Sequence, residues 1–125
     1  MYLAGVVVYD DRKKEAHMIE KKPICPGRIR KIAGSFGFID HAFLRKGFFN
    51  QLTHRELAFY CFLILVADRN GLSYYGYEKI CKILKLTVDE YIQCRDRLID
   101  MDLVAFESPL FQVLSLPADP VGRPT

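Results

Sequence analysis

The sequence predicts a mainly α-helical domain that carries a small β-hairpin at its end, which places the chain in the α+β class. Two Thr-x-x-Glu motifs, at residues 53–56 and 87–90, each mark a helix start. In such a capping box the threonine hydroxyl accepts a backbone amide, and the glutamate accepts the threonine amide. Two apolar segments, residues 103–106 and 111–114, flank a Ser108-Pro109 turn and predict the hairpin. At 125 residues, the chain can hold one core with appended arms.

Residues 1–38 are predicted to form an N-terminal extension. Val6-Val7-Val8-Tyr9 is β-branched and aromatic, which favours a strand over residues 1–9. Residues 10–22 are charged and weakly patterned, and prolines interrupt the chain after them. Residues 28–32 then alternate basic and apolar side chains, as a short strand or an arm would. Three roles stay open for the extension: a strand that pairs with the hairpin, a dimerisation arm, or a basic arm that lies on phosphates.

Two helices are predicted next, at the start of a domain over residues 39–116. The first has Asp40 as its N-cap, ends near residues 47–50, and places Phe43, Leu44 and Phe48 on one face. The second covers residues 53–68 and is apolar nearly all round, so it is either the central helix of the domain or part of a subunit interface. Asn70 or Gly71 is suited to a left-handed cap at its end.

The third predicted helix runs over residues 77–84 with Gly76 as its N-cap. Its apolar face is formed by Tyr77, Ile80, Cys81 and Leu84, which leaves Glu78, Lys79 and Lys82 outside. Lys85-Leu86 is only a turn, and a fourth helix starts at Thr87. Helix, helix, tight turn, helix and two-stranded wing is the order of a winged helix-turn-helix. Residues 117–125 contain three prolines and are predicted to be a flexible tail.

The fourth helix separates its residues onto two faces. Tyr91, Cys94, Arg95 and Leu98 recur at the spacing of one buried face. The opposite face is mostly acidic and is formed by Asp89, Glu90, Gln93, Asp96 and Arg97. The charge balance follows the same trend, because residues 1–50 carry ten Lys and Arg against five Asp and Glu, whereas residues 87–125 carry three against seven.

A family resemblance is carried by four motifs: Leu52-Thr53-x-x-Glu56-Leu57, Asn70-Gly71-Leu72-Ser73 before Tyr77-Glu78-x-Ile80, Ile80-Cys81-x-x-Leu84-x-Leu86-Thr87, and Asp102-Leu103-Val104. On these residues the chain resembles the winged-helix domains of phage and plasmid replication initiators and the amino-terminal domain of DnaD-type primosome proteins. It is also similar to small helix-turn-helix proteins that travel with mobile elements. The resemblance implies a DNA-binding protein, as a homodimer, in replication initiation, transcription regulation or a mobile element.

The chain departs from that family at two positions. Lys85 stands where the turn usually has glycine, and Val88-Asp89-Glu90 stands where the fourth helix usually begins with arginines. Since non-specific DNA affinity comes mostly from Lys and Arg, the acidic start supports an alternative. In that alternative the scaffold is a protein-interaction or dimerisation module without direct DNA binding, and a protein partner contacts the acidic fourth helix.

For double-stranded DNA, the candidate contacts fall into three groups. Phosphates would be bound from the third helix and the turn after it, and bases would be read by Gln93 and Arg97. A basic arm would add further phosphate contacts. The full set of candidates is Tyr75, Tyr77, Lys79, Lys82, Lys85, Thr87, Gln93, Arg97, Arg28, Arg30 and Lys31. The segment 107–110 between the wing strands has no Lys or Arg, so insertion of the wing into the minor groove is not expected.

Other function classes lack support in the sequence. Cys25, Cys61, Cys81 and Cys94 are far apart and do not form a zinc-ligand pattern, so we expect reduced thiols that act as small core residues, with no metal or cofactor. The longest apolar run, residues 57–67, is too short to cross a bilayer. Gly34-x-x-Gly37 lacks the Lys-Ser/Thr of a phosphate loop, and the three histidines are dispersed. The chain is therefore predicted to be cytoplasmic and not an enzyme.

Overall fold

The computed structural model describes residues 5–10 and 15–120, and side chains from residue 21 onward. The chain divides into two units between Gly34 and Ser35, four residues before the predicted boundary. The first four residues of the predicted leading strand and the last five of the predicted tail lie outside the described residues. Each unit is considered by itself below.

The first unit contains a β-hairpin. Strand β1 (Gly5–Asp10) pairs antiparallel with β2 (Glu15–Glu20), and Val7 lies opposite Met18. The prediction of a strand near residue 6 is confirmed, but β2 was not predicted, because its charged residues obscure the strand pattern. The pairing partner of β1 thus lies within the first unit. A 3-10 helix follows at Pro26–Arg28, and residues 29–32 do not form the predicted strand.

The second unit is a mixed helical and β structure, so the predicted α+β class is confirmed. Its helices are α1 (Ala42–Arg45), α2 (Phe48–Gln51), α3 (His54–Val66), α4 (Tyr77–Leu84) and α5 (Val88–Asp100). Its strands are β3 (Leu72–Tyr74), β4 (Val104–Glu107) and β5 (Leu110–Val113). They form one antiparallel sheet in the order β3-β5-β4. The hairpin strands lie within a residue of their predicted positions, whereas β3 was not predicted.

The first predicted helix is interrupted in the structure. Gly47 adopts a left-handed backbone conformation, with φ at 89°, and separates α1 from α2. The N-cap of α1 is His41, one residue after the predicted Asp40, although the Asp40 carboxylate accepts the Ala42 amide at 2.8 Å. Phe43 and Phe48 are buried, and the Phe43 ring stacks on Tyr60 of α3 at 5.0 Å between centroids. Leu44 is exposed, so its predicted place on the buried face is wrong.

Both capping boxes are present, and they fix the starts of the two long helices. Thr53 Oγ1 accepts the Glu56 amide at 3.2 Å, and the Glu56 carboxylate accepts the Thr53 amide at 2.9 Å. Thr87 and Glu90 repeat this arrangement at 3.1 and 2.9 Å. Each box satisfies two backbone amides that a helix start otherwise leaves unbonded, which is worth about 1 kcal/mol per cap.

Helix α3 ends two residues earlier than predicted. It stops at Val66, and Ala67 is already extended. Gly71 is left-handed, with φ at 84°, but it lies in the turn before β3 and does not cap the helix. A Cβ atom there would lie 2.5 Å from the Val113 carbonyl oxygen, so close approach to β5 also requires glycine. The Asp68 carboxylate holds this turn by accepting the Asn70 and Leu72 amides at 2.8 and 3.0 Å.

The core of the second unit lies between α3, α5 and the sheet. Phe59 of α3 stacks on Tyr91 of α5 at 5.5 Å and meets Phe111 of β5 edge to face at 5.8 Å. Leu98 and Met101 are fully buried beside them. Leu86, between α4 and α5, is also buried and belongs to this core. Apolar contacts on the inner face of α5 therefore set its position, and its outer face is not covered by this core.

Candidate nucleic-acid interface

A tight turn joins α4 to α5. Lys85 adopts the left-handed conformation, with φ at 57° and ψ at 49°, at the position where glycine is usual. The amides of Lys85 and Leu86 both donate to the Cys81 carbonyl, the latter at 2.9 Å. This closes the end of α4 in the manner of a glycine cap. Lysine therefore occupies this turn in place of glycine, and the geometry presents its side chain to solvent.

Three lysines follow α4 into the turn, at every third residue. Lys79, Lys82 and Lys85 are all exposed. Lys79 Nζ lies 5.7 Å from the centroid of the Tyr75 ring, a cation–π contact. Tyr75 is half-buried, because its ring meets Phe62 of α3 edge to face at 5.3 Å. The structure therefore brings the three lysines to one side of α4, beside an aromatic side chain held by the core.

Tyr77 and Thr87 lie at the first position of α4 and the N-cap of α5. Tyr77 is exposed, and its ring lies 6.2 Å from Tyr91. The Thr87 hydroxyl accepts the Glu90 amide in the capping box, so its first role is structural. Its hydroxyl proton is still free to donate to a phosphate, since a hydroxyl can accept and donate at the same time.

The outer face of α5 is apolar and acidic. Its apolar part consists of three exposed side chains, Val88, Ile92 and Ile99. Asp89 and Asp96 are exposed between them, whereas Tyr91, Cys94 and Leu98 are buried on the inner face. The inner face is as predicted for Tyr91, Cys94 and Leu98. On the outer face Asp89, Gln93 and Asp96 are exposed as predicted, whereas Val88, Ile92 and Ile99 were not predicted there. A duplex groove would meet carboxylates here before it met any cation.

Arg95 does not act as a free cation on this face. Its guanidinium lies 5.6 Å from the Tyr91 ring centroid and 5.2 Å from that of Phe106. It also donates to the Asp96 carboxylate at 3.0 and 3.1 Å. Arg95 was predicted on the buried face, but this role was not predicted, since the Phe106 contact depends on the position of β4. Arg95 joins α5 to β4.

The structure directs Arg97 away from the outer face of α5. Its guanidinium donates to the Gln51 carbonyl at 3.1 Å and lies 3.9 Å from the Glu56 carboxylate. The Arg97 side chain is 22% exposed and that of Glu56 only 13%. Arg97 was predicted to read bases, but the structure holds it against the ends of α2 and α3. Of the two predicted base readers, only Gln93 is left, and its side chain is exposed.

Two ion pairs connect α3 and α5 in a reciprocal way. Arg55 of α3 pairs with Glu90 of α5 at 2.9 Å, and Arg97 of α5 approaches Glu56 of α3. Both glutamates belong to capping boxes. The hydrogen bond from the Thr87 amide, with the nearby Arg55 charge, holds the pKa of Glu90 below its usual range. Gln93 lies beside these pairs, in a groove of about 440 Å³ lined by Thr53, His54, Arg55, Glu56, Glu90, Gln93 and Cys94.

A second groove lies between α5 and the wing. Its volume is about 570 Å³, and its lining is mostly aromatic and aliphatic: Tyr75, Gly76, Tyr77, Val88, Tyr91, Ile92, Arg95, Phe106, Ser108 and Pro109. The wing turn, residues 107–110, supplies a carboxylate at Glu107 and no cation. Phe106 and Pro109 were not predicted as site residues, because only the folded sheet brings the wing against α5.

The predicted basic arm belongs to the first unit. Arg28 is the last residue of the 3-10 helix, and Arg30 and Lys31 follow in a segment without helix or strand. All three are exposed. The structure brings together the candidates of α4 and its turn, and it describes the arm as part of a separate unit.

The structure also bears on the predictions made for the cysteines, for metal binding and for membrane crossing. Burial raises the pKa of the Cys94 thiol, and Cys81 is half-buried, as expected of small core residues. Cys25 and Cys61 are exposed, which corrects the expectation that they act as core residues. Within residues 5–10 and 15–120, His, Cys, Asp and Glu do not form a group able to hold a metal ion. In that part of the chain, no helix is long and apolar enough to cross a membrane.

Comparison with known proteins gives no relative: no family model, curated protein or solved structure matches this chain.

Proposed function

We propose that the second unit is a winged helix-turn-helix that binds double-stranded DNA mainly through phosphate contacts. The observation that supports this most directly is the run of exposed lysines along α4 and its turn, beside α5 and a three-stranded sheet in the order β3-β5-β4. In this proposal α4 crosses the DNA backbone and α5 faces the major groove. The resemblance to replication initiators and mobile-element proteins suggests the processes that such binding would serve.

The phosphate contacts come from the three lysines, with help from neighbouring hydroxyl groups. Lys79, Lys82 and Lys85 each present an ammonium group to solvent. In this proposal Tyr77, at the start of α4, and Thr87, at the N-cap of α5, also donate hydrogen bonds to phosphate oxygens, which fixes the protein's position without reading sequence. Each neutralised phosphate releases counterions, so affinity falls steeply with salt.

Sequence discrimination is expected to be weak. Gln93 can bond the N6 and N7 atoms of adenine, and Asp89 can accept from the N4 amino group of cytosine. Arg97 is held by Gln51 and Glu56, and Arg95 by Asp96. The side chain that most often reads guanine is therefore absent from the outer face of α5, among the residues the structure describes.

Fluorescence polarisation against a random duplex tests the proposal. We expect binding at about 50 mM salt. The plot of log K against log salt concentration should have a negative slope, to which each lysine that contacts a phosphate contributes roughly −0.9. Alanine variants at positions 79, 82 and 85 should each lose part of this slope. Arg69→Ala removes an exposed cation from the turn before β3 and serves as the matched control, with an unchanged slope.

Absence of binding at low salt would contradict the proposal, as would binding without a salt slope. An equal loss of slope for Arg69→Ala would show that net charge matters and not the α4 lysines.

The outer face of α5 favours a second candidate function. Val88 and Ile92 are exposed next to Asp89 and Asp96, a combination that suits a protein partner with basic and apolar side chains better than phosphate. In this candidate the same scaffold is an interaction module without direct DNA contact. Ile92→Lys distinguishes the two, because it would strengthen DNA binding if α5 faces the duplex and would weaken capture of a protein partner.

A further inference from the structure

The outer side of α3 carries a stripe without Asp, Glu, Lys or Arg that the rest of the unit does not cover. It consists of His54, Ala58, Cys61 and Leu65, hereafter the outer stripe, and all four are exposed. Their spacing of four, three and four residues places them on one helix face. Leu65 is 75% exposed, although it is a large aliphatic side chain. The stripe runs almost the whole length of this 13-residue helix.

The segment just before α1 enlarges this apolar surface. Gly37 lies against the C-terminal half of α3, where an added Cβ atom would come within 2.7 Å of the Ile64 carbonyl oxygen. The close approach of Gly37 places this segment beside α3, and the side chains of the residues before and after Gly37 remain in solvent. Phe36 is 66% exposed and Phe38 is 78% exposed. Two phenylalanine rings are therefore exposed close to the residue that precedes Leu65.

The charged residues near the stripe are already paired within the chain. Arg55 binds Glu90, and Glu56 closes its capping box beside Arg97. A partner that covers the stripe therefore meets no unpaired arginine or glutamate on α3. An exposed apolar surface of this kind, bordered by ion pairs, often marks an interaction site.

The order of residues in the stripe is self-complementary about its centre. The spacing four, three, four is the same in both directions, so an antiparallel copy of α3 places Ala58 opposite Cys61 and His54 opposite Leu65. The two smallest side chains then lie at the centre, where helix axes can approach to about 8 Å. The larger ones lie at the ends. A two-fold contact of this kind is closed and uses the same patch on both chains.

The available area agrees with a dimer of modest affinity. Phe36, Phe38 and Leu65 together expose on the order of 400 Å², given the usual area of such side chains. When both chains are counted and the rest of the stripe is added, the area that could be buried reaches roughly 1,000 Å², the lower limit of specific interfaces.

We propose that two copies of the chain associate through antiparallel packing of their outer stripes, with Phe36 and Phe38 at the edge of the contact. The α4 lysines do not take part in this interface. The inference is therefore independent of DNA binding and goes beyond it.

Oxidative cross-linking provides the first test. Residues 58 and 61 straddle the two-fold axis, so the two Cys61 residues are displaced by only about 4.5 Å along the helices. Their Cα atoms then fall within the roughly 4.4–6.8 Å that a disulfide spans. In a Cys25→Ser chain, which lacks the other exposed thiol, mild oxidation should give a covalent dimer. The matched Cys25→Ser, Cys61→Ser chain should give none.

A charge pair tests the antiparallel direction. Leu65→Lys should weaken the dimer by on the order of 100-fold in sedimentation velocity, because each interface loses an apolar contact and must desolvate two ammonium groups. Adding His54→Glu should restore association, since each new carboxylate faces the lysine of the other chain. Within one helix these positions are about 16 Å apart, too far for an internal pair. Val88→Lys changes another exposed apolar residue, on α5, and should leave the dimer intact.

Each outcome decides the matter. A monomer at up to about 100 µM, a concentration that reveals micromolar association, overturns the proposal. So does a dimer that resists Leu65→Lys and forms no Cys61 cross-link. Loss of association by Leu65→Lys without rescue by His54→Glu overturns the antiparallel packing and with it the proposal. Polarisation against duplex DNA, measured on the same variants, reports the proposed DNA binding separately.

Discussion

Arg97 is the residue at which sequence and structure give opposite roles, and a stability measurement combined with a binding measurement distinguishes them. Its guanidinium donates to the Gln51 carbonyl at 3.1 Å and lies near the mostly buried Glu56 carboxylate. A hydrogen bond from a charged donor is worth about 1.5–3 kcal/mol, and partial exposure of this side chain reduces that value. We therefore expect Arg97→Ala to lower the free energy of unfolding by about 1–2 kcal/mol.

Thermal unfolding followed by circular dichroism measures this effect. For a domain of this size, the expected loss corresponds to a decrease in Tm of roughly 4–12 °C. Arg55→Ala is the matched control, because it also removes one arginine that bridges α3 and α5. Arg55 is 64% exposed, and exposed ion pairs are worth roughly 0–1 kcal/mol, so Arg55→Ala should lower Tm by less than Arg97→Ala does.

DNA affinity, measured well below both melting temperatures, completes the comparison. If Arg97 is structural, the folded variant binds duplex DNA as tightly as the wild-type chain. Our interpretation would be refuted by an unchanged Tm together with a clear loss of DNA affinity, since that is the signature of a base or phosphate contact.

Three further predictions concern the turn, the capping box and the core. Lys85→Gly should raise the free energy of unfolding by about 1 kcal/mol in urea titration, because glycine adopts the left-handed conformation without the cost that lysine bears there. The depressed pKa of Glu90 adds stability above the ordinary glutamate range, and this is lost as the pH falls through the folded-state value. Glu90→Gln should therefore show a smaller loss of Tm between neutral and acidic pH, and an equal loss would argue against the capping interaction. Phe111→Ala should cost about 3–5 kcal/mol in urea unfolding, because the ring is fully buried against Phe59 and Phe106, and a loss under about 1 kcal/mol would show that the core is not as described.

The sequence by itself determined the elements whose signals are local. The capping boxes at Thr53 and Thr87 act within a single helical turn, and both are formed. Helix α4 has the predicted bounds, because Gly76 and Lys85 end it on either side through their own backbone conformations. Strands β4 and β5 flank the Ser108-Pro109 turn and pair with each other as expected. Each of these features needs only residues that are neighbours along the chain.

Only the tertiary structure decided the features that depend on distant partners. Strand β3 is three residues long, and it exists through its hydrogen bonds with β5, almost forty residues later. The contacts that hold Arg97 and Arg95 come from α2, α3 and the wing. Exposure of Cys61 and Leu65 depends on which side of α3 the other elements cover. The sequence of a helix that is apolar all round does not show which face stays exposed, because the hydrophobic effect is non-directional. The local sequence therefore specified which segments are helical, and packing decided which of their side chains are available to a partner.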